Sequence, residues 1–354
     1  MTRTKTIAFP SLLVAGLALC VSATAQNRQL PNYSKIATIP VPGNLAGGFD
    51  ISWVDSASQR YYLAERGTKK GAGKIDVIDT NSNTFLYSIP TTQGGIGFAG
   101  NTGSRFTSGP AGVVAVPQLN QLWAGDGNST VKVVDLTAKA IIASVSTGGK
   151  FRADELAYDS LDHIIMIANA NDSPPFLTFI SADTLAVLGK ITYPTDQVGL
   201  EQAVWDGQLK RFPISVPASA SRTGAVDVID PIAMQVTNRY FLNCDPAGLA
   251  LGPLQRVMTS CAQVVDGRTG VTLGYSQGNS DNPIGGDEIW FNPGDNRYYF
   301  GSGNVGVVDA ETNEPLGFLD TNVATHSIAA DSSNNHIFVP ATGMGVFVYA
   351  QTGP

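Results

Sequence analysis

A short apolar strand ending on an acidic or small residue recurs seven times along this 354-residue chain. The clearest copies are Ile75-Asp76-Val77-Ile78-Asp79, Val131-Lys132-Val133-Val134-Asp135, Val226-Asp227-Val228-Ile229-Asp230, Val264-Val265-Asp266 and Val305-Gly306-Val307-Val308-Asp309. Phe176-Leu177-Thr178-Phe179-Ile180-Ser181 and Val346-Phe347-Val348-Tyr349 are weaker copies. Starting from Asp79, successive copies lie 56, 46, 49, 36, 43 and 40 residues apart. A four-stranded propeller blade has about this length. The expectation is an all-β, seven-bladed β-propeller.

A second register supports the count. Ile51-Ser52-Trp53-Val54, a polar turn over 55–60, and Tyr61-Tyr62-Leu63-Ala64 read as the opening hairpin of blade one. Leu156 to Asp159, Ala203 to Asp206, Ile289 to Asn292 and Ile328 to Asp331 align with its first strand. Pro110 to Val113 and Pro246 to Leu249 align with each other and supply blades two and five. The last blade runs out of chain after three strands, and Ser34 to Val41 is a spare one. The N-terminal strand is therefore expected to complete blade seven and remove an open edge. Thr91 to Pro110, polar and glycine-rich, reads as a long loop over one face.

Residues 1–25 read as a signal peptide: basic Arg3 and Lys5, an apolar run from Ile7 to Val21, then Ala23-Thr24-Ala25 before the cut. Residues 26–354 would then be one exported domain, secreted or periplasmic, with no membrane span. The net charge of −7 becomes more negative once the leader is gone, which disfavours nucleic acid as a partner. Cys244 and Cys261 remain as an even pair with a short loop between them; in an oxidising compartment they read as a disulfide. A monomer is expected.

Asp76-Val77-Ile78-Asp79-Thr80-Asn81-Ser82-Asn83-Thr84 and Gly306-Val307-Val308-Asp309-Ala310-Glu311-Thr312-Asn313 resemble the repeat of YVTN-type, YncE-like seven-bladed propellers. The resemblance covers the mature chain and implies a fold more than a function, because such propellers serve many purposes. The chain departs from the pattern in blades three and five, whose diagnostic strands look irregular.

The blade alignment brings one position per blade to the start of each innermost strand: Asp50, Gly112, Asp154, Glu201, Gly248, Asp287 and His326. The next positions are Ile51, Val113, Glu155, Gln202, Leu249, Glu288 and Ser327. Neighbouring strand residues point to opposite sides, so one set is expected to face the channel, and the first is preferred, with Glu155 and Glu288 able to swing in. Crowded carboxylates need compensation. A divalent cation held by Asp50, Asp154, Glu201 and Asp287 would supply it: Ca²⁺, Mg²⁺ or Mn²⁺ from the oxygen-rich set, Zn²⁺ or Fe²⁺ if the histidine joins. Glu201 and His326 are the candidate catalytic residues, with Glu155, Gln202 and Glu288 as supporting or ligand-binding groups.

No Cys-x-x-Cys-His, phosphate loop or Gly-x-Ser-x-Gly is present, so neither haem nor a nucleotide cofactor is expected. Two functions remain open. One is a metal-assisted small-molecule hydrolase, lactonase-like, or a lyase working at the channel mouth. The other is a non-catalytic propeller that binds a ligand or protein.

Overall fold

A computed structural model describes Met1 and residues 30–90, 96–276, 278–279 and 282–353. The expected signal peptide and the start of the long loop lie outside the described residues. Seven antiparallel sheets stand around a common axis, each meandering from an inner to an outer strand. The inner strands are Phe49–Asp55, Val113–Val116, Leu156–Asp159, Leu249–Leu251, Ile289–Asn292 and Ala329–Asp331, with a less regular stretch around Ala203 in blade four.

The aspartates of the sequence repeat are turn formers. Oδ1 of Asp79 accepts the N–H groups of Asn81 and Ser82 at 3.1 and 2.8 Å. Asp135, Asp230, Asp266 and Asp309 repeat that pattern with the residues two and three further on. The residue four places after each aspartate has positive φ: Asn83, Lys139, Met234, Gly270 and Asn313. One carboxylate thus satisfies two amides that the hairpin would leave free. The inner hairpins use Asp55, Asp159 and Asp206 in the same way.

Both faces of each sheet are buried, because strand alternation sends successive side chains into opposite gaps. Tyr61 and Leu63 pack toward blade seven, whereas Tyr62 and Ala64 pack toward blade two. The seven hydrophobic clusters occupy the seven gaps between neighbouring blades. The core is therefore distributed around the ring, and the centre is left to the channel.

Blade seven is built from both ends of the chain. Tyr33–Ile39 pairs antiparallel with Gly345–Gln351, and Ile39 sits in the apolar gap to blade one. Blade three, which the sequence showed as irregular, is a regular four-stranded sheet whose third strand pairs along all six residues. Blade five, read as irregular too, is likewise a four-stranded sheet with short strands, and the irregular blade is the fourth. Its inner strand is held by isolated bridges, Ala203 to Ile214 and Asp206 to Arg211. Pro213 lies between those partners and has no N–H to return to the ladder. The long loop feeds Phe98–Gly100 onto the Lys70–Asp79 strand of blade one, then passes Phe106 over Phe151 beside the channel mouth. No helix among the described residues is long and apolar enough to cross a membrane.

Cys244 and Cys261 are bonded, with Cα atoms 6.2 Å apart and a separation of 17 residues. Replacing both by Ala should cost about 3 kcal/mol, the loop entropy of a closure this size; equal denaturation midpoints for oxidised and reduced parent protein would contradict that. Deleting residues 26–41 removes the last ladder and the buried side chains of Ile39 and Val41. The melting temperature should fall by roughly 10 °C, and an unchanged value would mean that the ring closes without this strand.

Candidate functional site at the channel

The inner strands converge so closely that backbone meets backbone. A Cβ on Gly112 would lie 2.3 Å from the Asp154 carbonyl oxygen, and one on Gly248 would lie 2.2 Å from that of Asp287. Those two ring positions are glycine because a side chain has no room there. The other five carry polar side chains at the mouth. Asp50 and Asp154 are buried, Glu201 is partly buried, and Asp287 is exposed.

Two residues absent from the sequence-derived ring organise this cluster. Arg66 pairs with Asp50 Oδ2. Arg152 reaches the same oxygen at 2.9 Å and Asp154 Oδ2 at 2.6 Å. His326 stacks on Phe49 with ring centroids 4.8 Å apart and brings Nε2 to 3.4 Å from Asp50 Oδ1. Both oxygens of Asp50 are thus engaged. Arg66 and Arg152 supply Asp50 and Asp154 with charge compensation that the sequence assigned to a cation; among the described residues, Glu201 and Asp287 make no ion pair with a guanidinium group. Among the described residues, no three His, Cys, Asp or Glu side chains converge in a way that could hold a metal ion.

The carboxyl groups divide by environment. Burial alone would raise Asp50, but Arg66 and Arg152, with His326 beside them, hold it well below its ordinary value. Asp154 is pushed up to about 6 by burial and by Asp50, against the pull of Arg152. Glu201 is pushed up to about 8 by burial and by the charges of Asp154 and Asp287.

The axial cavity lies next to this cluster and has a volume of about 310 Å³. Inner strands of all seven blades line it. Its polar wall is the second register: Glu155, Gln202, Glu288 and Ser327. None of Asp50, Asp154, Glu201, Asp287 or His326 lines it; they form the separate cluster at the mouth. Glu155 and Glu288 both belong to this wall, and each perturbs the other's carboxyl group. Both are raised well above their ordinary range by burial, with Asp154 and Glu201 acting on Glu155 and Asp287 acting on Glu288. Gln202 holds strands together. Its Oε1 accepts from Leu249 N and Ile289 N at 2.8 and 3.2 Å, and its Nε2 donates to Ile289 O at 3.1 Å. One side chain so ties blades four, five and six together. Ser52 and Ser327 join blades one and seven through their hydroxyls at 2.9 Å.

Further along the channel the lining becomes aromatic, with Trp53, Tyr158, Trp205, Trp290 and Phe291. Trp53 and Trp290 come from blades that are not neighbours, yet their rings meet edge to face at 5.3 Å. The sequence marked these aromatics as packing between blades, and they also pack there. Their part in the cavity wall was not visible without the ring geometry.

No known family profile matches the chain, and no curated protein matches its sequence. Among solved structures, 1533 chains match, so the architecture is common. One chain, from a structure entitled "Crystal Structure of Mitotic Checkpoint Complex", superposes with a TM-score of 0.63 at 12% identity over 99% of each chain. Identity this low establishes the shared propeller fold and nothing about activity.

A folded-state value for Glu201 above its unfolded one means that this group stabilises the fold fully below about pH 4, and that the stability is lost as pH rises through about 8. Glu201→Gln keeps the shape and cannot ionise. Its melting temperature should therefore gain on the parent's as pH is raised from 5 to 9. A constant difference across that range would show that Glu201 is not held protonated.

Proposed function

We propose that the protein is an exported propeller of the YVTN-like kind that binds a small molecule in its axial channel. The observation that carries this reading is the cavity itself. Its volume lies at the lower end of ordinary ligand pockets, its wall is largely apolar and aromatic, and a few polar groups converge at one side. Tyr158 Oη, Trp205 Nε1 and Glu288 Oε2 have no hydrogen-bond partner among the described residues. Buried polar atoms left in that condition favour a ligand or water that completes them. The Cys244–Cys261 bridge is compatible with an oxidising compartment outside the cytosol.

A second reading, chemistry at the mouth, is favoured by the divided carboxyl groups. An ionised Asp50 beside the His326 imidazole, with a protonated Glu201 close by, is the pairing that acid–base catalysis uses. In that reading His326 accepts a proton and Glu201 donates one to a substrate entering the channel, as a hydrolase or lyase requires. A divalent ion there would rely on Glu201 and Asp287, because Asp50 and Asp154 are engaged by guanidinium groups. No step is assigned to it.

Screening purified protein against a metabolite library by tryptophan fluorescence and thermal shift tests the first reading. A ligand should quench the channel tryptophans and stabilise the fold by RT ln(1 + [L]/Kd), about 2.7 kcal/mol at a hundredfold excess over Kd. Trp290→Leu should weaken it at least tenfold. A ligand that binds the Trp290→Leu variant unchanged is bound elsewhere and would overturn the axial assignment. Turnover lost in both Glu201→Gln and His326→Ala, with stoichiometric metal in the parent, would instead favour metal-assisted chemistry at the mouth.

A further inference from the structure

The Glu155–Glu288 pair is an unusual wall for an apolar cavity. Glu155 is 6% exposed and Glu288 5%, and both belong to the cavity lining. Two buried carboxyl groups that perturb each other cannot both be ionised at low dielectric, and burial favours the protonated form of each. Arg152, which feels the charge of Glu155, is already bound to Asp50 and Asp154. The groups that act most strongly on the pair are acidic: Asp154 on blade three, Glu201 on blade four, Asp287 on blade six and Asp50 on blade one. His326 stands one residue further out, against Asp50. Six carboxyl groups thus meet two guanidinium groups, Arg66 and Arg152, and the deficit of positive charge falls on the cavity side.

The opposite part of the cavity supplies what an organic cation needs besides a counter-charge. Trp53, Trp205 and Trp290 are half-buried and contribute to the wall, and aromatic rings attract a poorly hydrated cation through their electron-rich faces. An inorganic ion would find only two carboxyl groups here and would lose its water against apolar walls. A purely apolar ligand would leave Glu288 Oε2 without a hydrogen-bond partner.

We propose that the axial cavity takes an organic cation, an amine or quaternary ammonium head on a short apolar body, which displaces one proton from the two carboxyl groups of Glu155 and Glu288. The inference rests on the channel being the ligand site and names the class of ligand. The exchange balances: one positive charge enters and one proton leaves to solvent. Binding should therefore tighten as pH rises, because the proton that competes with the ligand becomes easier to remove.

The test compares choline with its neutral isostere 3,3-dimethylbutan-1-ol, by calorimetry on the mature protein at pH 6 and pH 8, in two buffers of different ionisation enthalpy. Choline should bind at least about tenfold more tightly than the isostere, roughly the size of one desolvated cation–π contact. Its affinity should be higher at pH 8, with proton release shown by the buffer dependence. The double variant Glu155→Gln, Glu288→Gln should lose the preference while its melting curve stays cooperative. Trp290→Leu, which leaves the carboxyl pair intact, should weaken choline and keep the pH dependence. Equal binding of both probes would overturn the cation assignment and leave the cavity reading standing. Binding of neither would overturn it as well, and the library screen would then decide the cavity reading alone.

Discussion

Closure of the ring is the constraint on which everything else depends. A blade shows an apolar face to each neighbour, so a row of seven would leave two such faces in water. The pairing of Tyr33–Ile39 with Gly345–Gln351 fixes the last blade to the first and lets the seventh gap fill with Ile39, Phe49, Tyr61 and Phe338. Closing the sheets also forces seven inner strands toward one axis. Close approach there has made Gly112 and Gly248 the two ring members without side chains, and it has brought carboxyl groups from blades far apart in sequence within electrostatic range.

Crowded charge on the axis is managed in two ways. At the mouth, Asp50 and Asp154 are ionised or close to it because guanidinium groups share them. One residue further along, Glu155 and Glu288 make no ion pair among the described residues, and burial favours their protonated forms instead. The split arises from the reach of Arg152, whose two terminal nitrogens are used up on the first pair. A lysine in its place would offer a single point of charge and could not bridge both carboxylates with the same planar geometry.

The fold was legible because its signals are local. Asp79, Asp135, Asp230, Asp266 and Asp309 each bind amides two and three residues away, so the turn that defines a blade is written within five residues. The spare N-terminal strand and the cysteine pair were readable for similar reasons, one from strand count and the other from parity and spacing. The site was only half legible. Register brought Asp50, Asp154, Glu201, Asp287 and His326 to one level, but it could not show Arg66 or Arg152, which lie outside the aligned positions and act across the ring. An arginine two residues before a ring carboxylate, as in Arg152-Ala153-Asp154, was the one available hint. Pro213 in the strand beside the blade-four opening was likewise the sign that this ladder, and not that of blade three, would be broken.

The Asx turns have a further consequence for how the chain reaches this state. Each hairpin carries its own nucleus, since a carboxylate can organise its turn before any neighbour is present. Strand pairing inside a blade then joins residues a few tens of positions apart, and such short loops close quickly. Only the meeting of the two termini spans the whole chain. The entropy of closing so long a loop grows only with the logarithm of its length. Turns can thus form within single hairpins, blades gain their apolar gaps only from neighbours, and the gap between blades seven and one needs both ends of the sequence.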